Sequence, residues 1–227
     1  MALFSKIIIV LSIVAAIGCS VVNSSTKTAD IQGLEPAANL ETAATPKGLQ
    51  TAVFAGGCFW GVDAVFKHVK GVTDVKSGYA GGESKTAQYD RVSDGDTGHA
   101  ESVKVTFDPT KVTYAQLLTV FFSVAHDPTE LNRQGPDTGT QYRSAIFYTD
   151  EDQKKAALDY IKSIDDSKKL SKPIVTEISQ LKQFYEAEAY HQNYLARHPD
   201  QPYIVINDKP KVEDLKKRFP DLYTEKQ

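Results

Sequence analysis

Thr51-Ala52-Val53-Phe54-Ala55-Gly56-Gly57-Cys58-Phe59-Trp60-Gly61-Val62 decides how this chain is read. Thr51 to Ala55 is a short β-like run, and Gly56-Gly57 interrupts it. Beyond the glycines, Phe59, Val62, Phe66 and Val69 recur at helical spacing. The segment therefore predicts a strand, a tight turn and a helix, with Cys58 at the junction.

Strands and helices keep alternating downstream. After a Gly-rich stretch from Ser77 to Gly98, Val103, Val105 and Phe107 alternate with Ser102, Lys104 and Thr106 as in a half-buried strand, and Glu101 shares the parity of the apolar set. Thr113 and Gln116 have the spacing of a capping box, opening a helix that carries Leu117, Phe121 and Val124 until Asp127-Pro128 stops it. A long polar loop to Tyr142 leads into a strand over Arg143 to Thr149, then a helix capped by Asp150 with Gln153 and running to about Asp166. Ile174, Thr176 and Ile178 alternate again; a helix is expected near Ala187 to Arg197, and a shorter one at Val212 to Phe219. No internal repeat is present. Interleaving of this kind suits an α/β or α+β sandwich, with helices packed on a mixed sheet.

Upstream the character changes. Lys6 precedes an apolar run from Ile7 to Gly18, too short to span a bilayer that needs roughly 20 helical residues. It reads as a signal peptide over 1–18. Ala16-Ile17-Gly18-Cys19 resembles the lipobox of bacterial lipoproteins, with Cys19 the lipidated first residue; an ordinary cleaved signal with an incidental cysteine is the alternative. Residues 19–47, rich in Ala, Thr, Ser and Asn, read as a flexible tether, leaving 48–227 as one folded domain. An exported, membrane-anchored protein of the periplasm or cell envelope is expected. The net charge of −3, with no Lys/Arg run, offers no footprint for nucleic acid. With two cysteines in the chain, lipidation of Cys19 leaves Cys58 without a partner, and a lone exported thiol calls for a reactive role. Met1 is the only methionine.

A helix N-terminus supplies partial positive charge and free N–H groups that stabilise a thiolate, so Cys58 is placed to be a nucleophile. The plainer reading is a small buried residue. Phe59 and Trp60 either pack the helix or line an apolar pocket at the thiol. Glu101 on the inward face of a strand would lose hydration and stay protonated, as a general acid near a thiol must; the alternative turns it to solvent beside Lys104 or Arg91. Tyr89, Asp137 and Tyr142 lie in loops of the kind that position ligands. None of the five histidines has metal-ligand spacing, so no metal is expected.

Together these segments resemble the A-type peptide methionine sulfoxide reductases. The resemblance rests on Gly57-Cys58-Phe59-Trp60-Gly61, Ser77 to Gly82, Thr97-Gly98-His99-Ala100-Glu101, and His126-Asp127-Pro128-Thr129 continuing through Asn132 to Asp137. Gly139 to Ser144 and Ala187-Glu188-Ala189-Tyr190-His191-Gln192 extend it over about Gly48 to Phe219. It implies an α+β domain on a split βαβ, ferredoxin-like core. It further implies that Cys58 attacks the sulfoxide sulfur, Glu101 protonates the oxygen, Tyr89 and Tyr142 hydrogen-bond that oxygen, Asp137 helps hold the site, and Phe59 and Trp60 embrace the substrate methyl group. The implied substrate is methionine S-sulfoxide, free or in oxidised proteins. No metal or organic cofactor is implied, only an external thiol such as a thioredoxin-like protein or a small thiol, acting on a monomer. The tail departs from the pattern: Gln201 to Asn207 has no recycling cysteine, and Ile204 stands where some relatives carry one. Two rival readings are a cysteine acyl-transfer enzyme using Cys58 with His99 and a non-catalytic lipoprotein that binds oxidised methionine.

Overall fold

The computed structural model describes residues 48–225. The signal segment and tether expected over 1–47, Cys19 included, lie outside the described residues. Strand β1 (Gln50–Gly56) runs into helix α1 (Phe59–Lys67) across the turn expected at Gly56-Gly57. Two strands follow, β2 (Val72–Ala80) and β3 (Ala100–Phe107), separated by the four-residue helix α2 (Tyr89–Val92). Helix α3 (Tyr114–Val120) begins at the capping box: Thr113 Oγ1 accepts the Gln116 N–H, and the Gln116 side chain accepts the Thr113 N–H at 2.9 Å. It widens into a π-helical turn over Phe121–Ala125 before Asp127-Pro128.

The polar loop contains a minimal hairpin, β4 (Arg133–Gln134) with β5 (Asp137–Thr138). Beyond it lie β6 (Ser144–Tyr148) and α4 (Glu151–Ser167), the latter capped by Asp150 accepting the Gln153 N–H at 2.8 Å. The chain continues through β7 (Glu177–Gln180), β8 (Phe184–Glu186), α5 (Tyr194–Arg197) and α6 (Lys209–Arg218).

Six strands form one sheet in the order β7-β6-β1-β3-β2-β8, antiparallel except for the parallel pair β6 and β7. The fold is α+β, a mixed sheet with packed helices. Phe54 of β1 anchors the larger core, stacked on Phe66 of α1 at 5.1 Å and on Phe121 at 4.9 Å between ring centres. A smaller core of Val53, Ala55, Ala80, Ala100, Ala145 and Phe147 forms separately. The neighbours Val53 and Phe54 thus serve different cores, as alternation along a strand requires. Among the described residues no helix is long and apolar enough to cross a membrane.

Three local expectations are corrected. Ser77 to Ala80 is not loop but the end of β2, because β3 and β8 pair with it on both edges and supply its missing propensity. The alternation at Ile174 becomes strand only from Glu177. The helix expected over Ala187 to Arg197 is broken: a 3₁₀ turn covers Ala189–His191, Asn193 takes the left-handed conformation at φ +53°, and only Tyr194–Arg197 is α-helical. The His191 side chain bonds Trp60 and the Gln192 side chain bonds Ser77, contacts that hold this segment in its irregular form.

Candidate active site

The site starts from the unpaired N–H groups of a helix N-terminus. Cys58 is the N-cap of α1; the Trp60 N–H is directed at its sulfur, and the Phe59 N–H donates to Glu101 Oε2 at 3.0 Å. The first turn of α1 therefore ties the thiol to a carboxyl at the start of β3, 42 residues on from Phe59. Gly57 makes the approach possible. Its φ of +90° suits glycine, and a Cβ there would stand 2.5 Å from Gln134 Cβ.

Glu101 is 3 % exposed, and burial pushes its carboxyl up to about 8, against the Phe59 N–H that favours the charged form. The solvent-facing alternative does not hold: Arg91 pairs with Asp94 and Asp96, and Lys104 lies over the Phe184 ring. At neutral pH Glu101 carries a proton.

Cys58 corrects the expected ionisation. It is 8 % exposed, and burial first, then the carboxyls of Glu101, Asp208 and Asp137, push the thiol well above its ordinary value; only the Trp60 N–H opposes them. The helix terminus loses to desolvation and acidic neighbours. The resting site holds a thiol.

Tyr89, Tyr142 and Asp137, expected in loops, come to the same place from the first residue of α2, a 3₁₀ turn over Thr140–Tyr142 and the short strand β5. Burial raises the phenols of Tyr89 and Tyr142, and both feel the charges of Glu101 and Cys58. Burial also raises Asp137, which accepts a hydrogen bond from the Tyr203 hydroxyl. A cavity of about 370 Å³ reaches Cys58 past Gln134, Asp137, Tyr203 and Lys211. Phe59 is buried and Trp60 partly so; Trp60 stacks on Tyr194 at 3.7 Å and meets Tyr203 edge-on at 5.9 Å.

Several contributors were given no role by the sequence, although Glu188 stands in one of its motifs. Tyr203, from the Pro-punctuated tail, caps the aromatic wall and holds Asp137. Glu188 accepts the Tyr79 hydroxyl at 2.8 Å and the Tyr89 N–H at 2.9 Å, pinning the short helix that carries Tyr89. Asp208 is wholly buried, raised by burial to about 6, with Lys211 Nζ 3.6 Å away; a Cβ on Gly61 would meet it at 2.2 Å. Asp208 stands at the N-terminus of α6, yet its side chain caps nothing. His99 is committed elsewhere: Gly82 N–H donates to its Nδ1 at 3.2 Å and Nε2 lies 3.0 Å from the Glu83 carbonyl, which removes the base that acyl transfer would need. Among the described residues no three His, Cys, Asp or Glu side chains gather as metal ligands.

The peptide methionine sulfoxide reductase family model matches residues 50–223. The peptide methionine sulfoxide reductase MsrA 2 of Mesorhizobium japonicum is 59% identical over 179 residues, covering 79% of this chain and 92% of that relative. Reduced Mxr1 of Saccharomyces cerevisiae aligns with a TM-score of 0.62 at 35% identity, over 70% of this chain and 91% of that one. Methionine sulfoxide reductase A of Corynebacterium diphtheriae aligns with a TM-score of 0.58, also at 35% identity, over 73% and 82%. On the strength of these matches and of the thiol, acid and aromatic wall just described, the chain belongs to the peptide methionine sulfoxide reductase family.

Proposed function

We propose that this protein reduces methionine S-sulfoxide, free or in oxidised proteins, to methionine, and so repairs oxidative damage. The observation that carries the reading is the Cys58 thiol and the protonated Glu101 carboxyl, brought together at the first turn of α1. Cys58 sulfur attacks the sulfoxide sulfur while Glu101 gives its proton to the sulfoxide oxygen. The thiol proton returns to Glu101. The hydroxyl then shifts from the methionine sulfur to the Cys58 sulfur as the transient S–S bond breaks, leaving a sulfenic acid on Cys58 and the thioether of methionine, with the proton Glu101 gave replaced by the one from the thiol. Tyr89 and Tyr142, both kept neutral by their raised pKa, donate to the oxygen as it gains charge; Asp137, held by Tyr203, completes the polar wall. Phe59 and Trp60 take the methyl group. The chemistry uses side chains and an external thiol, with no metal or organic cofactor.

Recycling uses one cysteine. Ile204, at the position where the resemblance puts a recycling cysteine, is a buried apolar residue, and a lipidated Cys19 is a thioether. An external thiol attacks the sulfenic sulfur and releases water, and a second thiol frees Cys58 as a disulfide departs. The donor is a thioredoxin-like protein or a small thiol. A chain starting at Lys47, which lacks Cys19, is expected to keep producing methionine from a sulfoxide peptide with dithiothreitol, followed by mass. After one equivalent without reductant it should yield a dimedone adduct at Cys58. No methionine would falsify the reductase reading; arrest after one turnover with every donor, cured by restoring Cys19, would overturn the single-cysteine cycle.

The remaining readings concern architecture and location. The spatial order β6-β1-β3-β2, joined through α1 and α3, supports a split βαβ, ferredoxin-like core. Residues 1–18 act as a lipoprotein signal and 19–47 as a tether, which places a monomeric domain of 48–227 in the periplasm or cell envelope. In a bacterial host the full chain is expected in the membrane fraction, and Cys19→Ser should release it or leave it unprocessed. Unmodified full chain recovered from the cytosol would sink the anchor.

A further inference from the structure

His191 lies where the aromatic residues of the site converge. It is 2 % exposed, and its ring centre is 5.0 Å from that of Phe59, 5.8 Å from Trp60 and 4.4 Å from Tyr89. Trp60 Nε1 donates to His191 Nδ1 at 3.1 Å. Indole N–H is a donor with no acceptor capacity, so Nδ1 must be unprotonated and the neutral ring carries its proton on Nε2. That Nε2 is buried and has no hydrogen-bond partner among the described residues. A buried imidazole rarely leaves one nitrogen unused. The nitrogen it does use is spent on the indole beside the thiol.

We propose that His191 is a positioning residue for the reduction: as the Nε2-protonated neutral tautomer it fixes Trp60 through one hydrogen bond and braces Phe59 and Tyr89 by ring contact, so that the methyl-binding wall and the oxygen-binding phenol keep one geometry. The inference rests on the reductase reading of the site and adds a residue to it. Protonation undoes the arrangement, because an imidazolium presents N–H at both nitrogens and Nδ1–H would then face the indole N–H. The titratable and charged groups around the ring are Glu188, whose charge favours protonation, Tyr190 at 4.2 Å and Tyr89; Arg197 is held one turn away on the Ala189 carbonyl, and α1 contributes the uncharged Phe59 and Trp60. Burial outweighs Glu188 and holds the imidazole below its ordinary value of 6.5. The cage therefore stays assembled at neutral pH and loosens only in acid.

Trp60 is the only tryptophan, so its fluorescence reads this contact directly. An imidazolium quenches an adjacent indole. In the full chain, Trp60 emission should fall as pH drops through a midpoint below 6.5, and the transition should vanish in His191→Phe. His198→Gln, which removes the imidazole stacked at 4.3 Å on Tyr194, should leave the transition in place. With a methionine sulfoxide peptide at pH 7.5, His191→Phe should raise KM, and the Kd read from Trp60 emission, by roughly tenfold, the scale of one buried hydrogen bond, while kcat changes much less. His191→Asn offers a carbonyl acceptor near the place of Nδ1 and should recover part of the loss. If His191→Phe does not fold, the wild-type titration and His191→Asn carry the test. An acid transition that survives His191→Phe, or an unchanged KM and Kd in both variants, overturns the proposal. A wild-type protein that makes no methionine overturns the reductase reading instead, and emission and Kd still decide the role of His191.

Discussion

Glu101→Gln is expected to lower the single-turnover rate of methionine formation by roughly 10²-fold or more, the scale of general acid catalysis, while Cys58 still reacts with alkylating agents. Gln keeps the shape and can still accept the Phe59 N–H, but it has no proton to give. In the wild type the same group sets the alkaline limit: the rate should fall as pH rises through about 8, where the buried carboxyl ionises. Stability runs parallel. Below the ordinary value of 4.5 the folded and unfolded chains both hold the proton; between 4.5 and about 8 the unfolded chain releases it and the folded one keeps it, so stability declines across that window. The decline amounts to roughly 3–5 kcal/mol once Glu101 is charged. Glu101→Gln removes the group, so at pH 9 it should melt about 6–20 °C above the wild type, with the difference gone at pH 4. A wild-type single-turnover rate in the variant removes Glu101 from the mechanism; equal melting at pH 9 means the folded protein does not hold the proton.

Gly57→Ala is expected to damage stability and catalysis together. The backbone there is at φ +90°, and the new methyl would lie 2.5 Å from Gln134 Cβ and 2.8 Å from its Cγ. Gln134 cannot step aside cheaply. Its Oε1 accepts the Asp127 N–H at 2.9 Å and its Nε2 donates to the Asp127 carbonyl at 2.6 Å. Left-handed strain and overpacking together should cost roughly 2–5 kcal/mol in denaturant unfolding. The turn that yields is the one that aims Cys58, and a sulfur displaced by about 1 Å loses on the order of 10²-fold in rate. Unfolding at the wild-type midpoint with unchanged turnover would show that the turn has room to spare. Gly61→Ala, against the Asp208 carboxyl, is a useful companion, because it strains the same helix without touching the turn.

What the sequence determined by itself was local. Cys58 at a helix start follows from the run of Thr51 to Ala55, two glycines and the spacing of Phe59, Val62 and Phe66; the caps at Thr113 and Asp150 follow from side chains three residues apart. Glu101 was legible because a strand alternates with period two, and a carboxylate of apolar parity must be buried or break the pattern. Contacts that span the chain decided the rest. Ser77 to Ala80 has the composition of a loop and is strand only because β3 and β8 bond both its edges. Tyr203 and His191 join the site by closing on Asp137 and Trp60, residues 66 and 131 positions away, and no periodicity encodes such a meeting. The clearest case is the thiol itself. A helix N-terminus argues for a thiolate, but the ionisation of Cys58 is set by how completely water is excluded and by Glu101, Asp208 and Asp137 arriving from three separate segments. Desolvation and through-space charge depend on where distant residues end up, and only the tertiary structure says that.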